Sequence, residues 1–201
     1  MKTIKTAVIT EQTIQKSKFI THLLPMSSET EAKAYLAQLK KQHPKANHHC
    51  SALIIDEMVR SNDDGEPASS AGVPMLQMLQ AHDLNHTYAV VIRYFGGIKL
   101  GVGGLIRAYS SSVKQAIEQA TLLEKTIVHQ VLVEIGFDQM SIIETQLAEQ
   151  AQIRKRYYNE KAGFELEVYD LNLLDILYDL SNGSLVIKDQ RPIEKWIEVN
   201  K

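Results

Sequence analysis

The run HTYAVVIRYF (86–95) is apolar at nearly every position, and it passes directly into GGIKLGVGG (96–104) and then into an amphipathic segment from Leu105. A strand apolar on both sides has to be covered on both faces. Five of the chain's ten glycines, at 96, 97, 101, 103 and 104, then let the backbone turn sharply into the amphipathic segment. Ile106, Tyr109, Val113, Ile117 and Ala120 fall on one side of a helix at the 3.6-residue period. A buried strand, a glycine turn and an amphipathic helix in succession demand a domain in which helices cover a sheet.

The rest of the first 122 residues supports that reading. TIKTAVIT (3–10) and KSKFITHLL (16–24) predict two strands of a meander. A helix comes next, from the N-cap candidate Ser28, with Glu31 placed for a capping box and Pro44 as its stop. HHCSALIIDE (48–57) predicts a strand, MVRSNDDGEPASS (58–70) a polar loop, and AGVPMLQMLQAH (71–82) a helix that tolerates Pro74 in its first turn. Ser69 or Ser70 is placed to cap that helix.

The pattern restarts near residue 123. TIVHQVLVEIGF predicts a strand, DQMSIIETQLAEQA a helix capped by Asp138, and QIRKRYYNE with GFELEVYD a hairpin. NLLDILYDLSNG predicts a second helix and SLVIKD a last strand, giving the βαββαβ order of a ferredoxin-like sandwich. The predicted class is α+β with two domains, 1–122 and 123–201.

Charge separates the two parts. Residues 1–122 hold 13 Lys+Arg against 10 Asp+Glu, and residues 123–201 hold 9 against 14, within a net charge of −2. Such asymmetry suggests different surfaces. No stretch of about 18 apolar residues is present, and the N-terminus has no apolar signal core. With a lone cysteine, Cys50, these features predict a cytoplasmic protein with no membrane segment.

The glycine segment carries the most chemistry. Unpaired N–H groups at a helix start attract anions, and glycine lets a ligand approach the backbone. Lys99 could meet a phosphate as a point charge, with Arg93 and Arg107 making bidentate contacts. Neither G-x-x-x-x-G-K-[ST] nor G-x-G-x-x-G is present, since Ile106 stands where the third glycine should be. Anion binding and a purely geometric turn both stay open. Asp63, Asp64 and Glu66 cluster in SNDDGEPASS, where they could hold a cation or form a solvated turn. His43, His48, His49 and Cys50 offer too few ligands at workable spacing, so no metal and no cofactor are expected. RKRYY (154–158) mixes cations with aromatics as base-stacking surfaces do, but it reads equally as an exposed hairpin in the acidic half.

Taken together, DDGEPASSAGVP (63–74), RYFGGIKLGVGGLIRAY (93–109) and the upstream HHC make the sequence resemble the IMPACT/YigZ family over about residues 15–120. The resemblance implies a first domain with the fold of ribosomal protein S5's second domain, and a small ferredoxin-like second domain. Eukaryotic relatives regulate translation by binding a scaffold protein in amino-acid-starvation signalling. No catalytic residues come with the resemblance. The function expected is therefore a non-enzymatic, translation-associated binder of RNA, the ribosome or a translation-linked protein. Its binding candidates are Arg93, Tyr94, Gly96, Gly97, Lys99, Gly101, Gly103, Gly104, Arg107 and Tyr109, with Tyr94 or Tyr109 stacking. Asp63, Asp64 and Glu66 form an acidic-loop candidate. A phosphate- or nucleotide-dependent enzyme using those three carboxylates, and a purely protein-binding adaptor, are the alternatives.

Overall fold

The apolar run becomes β6 (Thr87–Tyr94), the middle strand of a five-stranded antiparallel sheet in a computed structural model that describes residues 1–199. Elements are numbered in chain order. The sheet runs β2 (Val8–Ile14), β3 (Ser17–Pro25), β6, β4 (His48–Ile55), β5 (Met58–Asn62). Side chains alternate across the pleat. Tyr88, Val90 and Ile92 therefore meet α1 (Glu29–Gln42), while Ala89 and Val91 pack beneath α2 (Gly72–Ala81) and α3 (Gly101–Gln119). Val90, Val91 and Ile92 are fully buried, each stabilising the fold by about 1.5–3 kcal/mol relative to exposure.

Ser28 caps α1 as expected, accepting from the Glu31 N–H at 3.2 Å. Within the first 122 residues three boundaries differ from the sequence reading, and in the second half the first strand starts at Leu122 and the last runs from Val186 to Glu198. Residues 58–62 are strand rather than loop, because Asp56 takes a positive φ of 50° and closes a tight hairpin with Ile55 opposite Met58. Polar MVRSN is tolerated there because β5 is an edge strand. TIKTAVIT is divided: Lys2–Ile4 forms β1, which pairs with Leu122–Glu124, and β2 starts at Val8. The helix read from Leu105 begins at Gly101, so three of the glycines are helical.

The Cα positions divide into two units, Met1–Glu124 with the chain from Glu198, and Lys125–Ile197. The second unit holds β7 (Leu122–Ile135) beyond its first residues, α4 (Met140–Gln150), β8 (Ala151–Tyr158), β9 (Ala162–Val168), α5 (Asn172–Leu180) and β10 (Val186–Glu198). Its strand order β10-β7-β9-β8 is that of a ferredoxin-like sandwich. Val131, Val133, Phe164 and Leu166 form its core with Ile143 and Leu147 of α4 and Leu173 and Leu177 of α5. Asp138 sits in a 3-10 turn before α4, which has no side-chain cap. The protein is a two-domain α+β chain.

Candidate functional site

The two motif segments of the first unit fold against each other, and Asp63, Asp64, Glu66 and Arg93 are engaged within the fold. Asp63 caps α2 from eight residues upstream: its Oδ1 accepts from the Ala71 and Gly72 N–H groups at 3.0 and 2.8 Å, and its Oδ2 from Ser69 N–H at 2.8 Å. Neither Ser69 nor Ser70 is the cap, because the Asp63 carboxylate takes those amides. Asp64 accepts from Lys40 Nζ at 2.8 Å and from the His49 N–H at 2.7 Å. The Lys40 ammonium and the His49 amide hold its carboxyl below the usual range against the opposing effect of burial.

Glu66 is the centre of the buried network. Its Oε1 accepts from Arg93 Nη1 at 2.6 Å and from the Tyr109 hydroxyl at 2.7 Å, and His48 Nε2 lies 3.8 Å away. The side chains of Glu66 and Arg93 are 4% and 5% exposed. Arg93 is also flanked by the rings of Phe19 and Phe95, with its guanidinium carbon 5.5 and 5.6 Å from their centroids. The Cys50 thiol packs against the Tyr109 hydroxyl at 3.3 Å, and burial pushes it up to about 12, so it stays protonated and is no nucleophile.

Above this network the glycine loop is pinned by two side chains. Asn47 Oδ1 accepts from the Phe95 N–H at 2.8 Å, and Ser17 Oγ from the Gly96 N–H at 3.2 Å. Gly97 and Gly101 adopt positive φ of 86° and 70°. Helix α3 then starts with no side-chain cap, which leaves the N–H groups of its first residues open. A groove of about 380 Å³ lies in front of it, lined by Glu66, Arg93, Phe95, Lys99, Gly101 and Val102 among others. Lys99 and Arg107 are exposed and have no ion-pair partner among the described residues. Phe95, Ile98, Val102 and Ile106 are exposed as well.

Several sequence-predicted contacts are corrected by this geometry. Arg93 cannot serve as a free phosphate ligand because its charge is spent on Glu66. Tyr109 is fully buried and cannot stack on a ligand. Tyr94 faces the opposite side of the sheet, with its hydroxyl 2.9 Å from His43 Nδ1. Gly96 donates its N–H to Ser17, and Gly104 is far enough into α3 for its N–H to enter the helical ladder. The three acidic-loop carboxylates are engaged within the fold. Lys99, Gly97, Gly101, Gly103 and Arg107 remain on the surface, and the structure adds Phe95, which the sequence reading passed over. Its signal was alternation: a residue beyond the last strand pairing, after Arg93 and Tyr94 have taken opposite faces.

On the α1 side, His22 Nδ1 is 2.9 Å from the Tyr35 hydroxyl, and the His22 and His43 rings are 6.5 Å apart. Burial, and to a lesser degree the neighbouring His43, lowers His22 below its ordinary value of 6.5. Burial also lowers His49, outweighing the attraction of Asp64. A base with a depressed folded-state pKa contributes stability that is complete above the unfolded value and is lost as pH falls below it. Stability should therefore decline as pH falls below about 6.5, no more steeply than about 1.4 kcal/mol per pH unit for each histidine. Thermal unfolding across that window checks this; His22→Gln should flatten the slope, and an unchanged slope would exclude His22 as a source.

A two-domain α+β chain with a glycine loop over a buried glutamate–arginine pair is the class that the fold and site define. The Impact N-terminal domain matches residues 15–117. The chain is 41% identical over 194 residues to the IMPACT family member YvyE of Bacillus subtilis (strain 168), covering 93% of this chain and 89% of that one. It is 39% identical over 141 residues to the IMPACT family member YigZ of Escherichia coli (strain K12), covering 68% and 69%. A solved structure described as a crystal structure of an hypothetical protein is 33% identical, with a TM-score of 0.59 over 92% of this chain and 95% of that one. The chain belongs to the IMPACT family.

Proposed function

We propose that this chain is a non-enzymatic, cytoplasmic regulator associated with translation, and that it binds RNA, free or on the ribosome, through the surface around the start of α3. The translation link is supported by the regulatory role that the family resemblance implies. One observation carries the RNA part: the uncapped start of α3 lies between Lys99 and Arg107, two cations unpaired among the described residues, beside the exposed ring of Phe95. Open amides and cations suit phosphate, and an exposed aromatic suits a base. The enzyme alternative loses its support here, because Asp63, Asp64 and Glu66 are already committed to a helix cap and two ion pairs.

Co-sedimentation with ribosomes and their subunits tests the reading. Two phosphate contacts predict affinity falling about tenfold between 50 and 200 mM salt. Lys99→Ala/Arg107→Ala should abolish most pelleting and flatten the salt dependence by about 1.5 in log–log slope. Pelleting indifferent to both salt and substitution would instead favour the protein-binding adaptor, which Ile98, Val102 and Ile106 would serve as an apolar docking patch.

A further inference from the structure

We infer that the groove beside α3 receives one unstacked nucleotide of single-stranded RNA, its base against Phe95 and its phosphate at Lys99 and the open amides of Gly101 and Val102. The inference rests on the RNA reading above and narrows it to a strand whose bases are free. Three features of the groove point to a ligand with a flat face, an N–H donor and a hydrogen-bond acceptor. Phe95 is 45% exposed, and the Arg93 guanidinium lies against its ring, which leaves ring surface for a base. Glu66 uses only Oε1 for Arg93 and Tyr109, so Oε2 is left without a partner among the described residues while Glu66 lines the groove. Arg93 lines it too, and its buried Nε–H has no acceptor among the described residues.

The fit is specific in kind. About 380 Å³ falls in the range of small-ligand clefts. In A-form duplex the base faces are stacked away, whereas single strands present them to aromatic side chains. A carboxylate oxygen on the floor can accept from a base N–H, whether an exocyclic amino group or the ring N–H of uracil or guanine. The two half-buried carboxylates of the same loop do not oppose the phosphate, because Asp63 is bound to three amides and Asp64 to Lys40.

The experiment is fluorescence anisotropy of the full chain with a labelled RNA of about 10 nucleotides, single-stranded or annealed to its complement. The strand should bind about tenfold or more tightly than the duplex at equal salt. Phe95→Ala and Phe95→Leu should each lose about tenfold with the salt slope kept, the leucine variant preserving the cover over Arg93. Lys99→Ala should reduce the slope by about 0.7. Duplex binding as tight as the strand, or Phe95 variants without effect, would overturn the nucleotide site and leave the RNA reading standing. Binding of neither RNA at low salt would overturn both.

Discussion

Glu66→Ala should destabilise the first unit by about 3–5 kcal/mol, the largest loss expected from any one side chain at the site. The reason is the charge left behind rather than the contact removed. Arg93 is 5% exposed and its one carboxylate partner among the described residues is Glu66 at 2.6 Å. Without Glu66, a guanidinium that cannot be deprotonated is left buried between Phe19 and Phe95. Tyr109 would lose the acceptor of its hydroxyl at the same time. Glu66→Gln keeps the shape and an acceptor for both donors, so it should lose less. The double change Glu66→Leu/Arg93→Met should recover much of the stability, because replacing both members of a buried pair removes the unpaired charge. Urea unfolding followed by far-UV circular dichroism reads these differences. A Glu66→Ala protein within about 1 kcal/mol of the parent would show that water or another group already serves Arg93.

Gly96→Ala should be nearly as damaging, by about 3 kcal/mol, and for a steric reason. A Cβ at Gly96 would lie 2.0 Å from both the carbonyl carbon and oxygen of Lys16, and 2.5 Å from the Ser17 nitrogen. These are backbone atoms of a tight turn in which Gln15 and Lys16 already hold positive φ of 43° and 65°. They cannot swing aside as a flexible side chain can. The displacement would break the Gly96 N–H bond to Ser17 and disturb the end of the β3–β6 pairing, where Lys18 lies opposite Tyr94. Gly97→Ala is the contrasting variant: nothing lies within 4 Å of its Cβ, and only its φ of 86° opposes the change, so it should lose about 1 kcal/mol. Equal stability of the Gly96 and Gly97 variants would show that the turn can yield.

The two glycines illustrate how much of the site the sequence made legible. That the stretch after β6 must turn sharply, and that it lies beside cations, is plain from RYFGGIKLGVGG. Which glycine serves close packing and which serves a left-handed conformation depends on where Lys16 lies, about 80 residues earlier, and no local pattern reports that. The same holds for the charges. Asp63, Asp64, Glu66 and Arg93 look like a mixed-sign ligand site when read along the chain, because ionisable residues are usually exposed. Folding pairs Glu66 with Arg93, Asp64 with Lys40 and Asp63 with α2's amides, which converts most of the expected ligands into scaffold. Tyr94 could have been placed from alternation alone: it comes after Arg93 on a strand and so has to face the other layer.

Hydrophobic period and punctuation were enough to determine the doubly covered strand, the long amphipathic helix after the glycines, the βαββαβ order of the second half and the α+β class. These depend on local spacing, which the chain carries within each segment. Tertiary structure decided the rest: β5 as an edge strand, β1 parted from β2, Arg93 buried against Glu66, and Lys99, Arg107 and Phe95 left to face solvent at an open helix start. Those outcomes depend on desolvation and on partners brought together from far along the chain, and burial, more than residue type, separates a ligand-binding charge from a structural one.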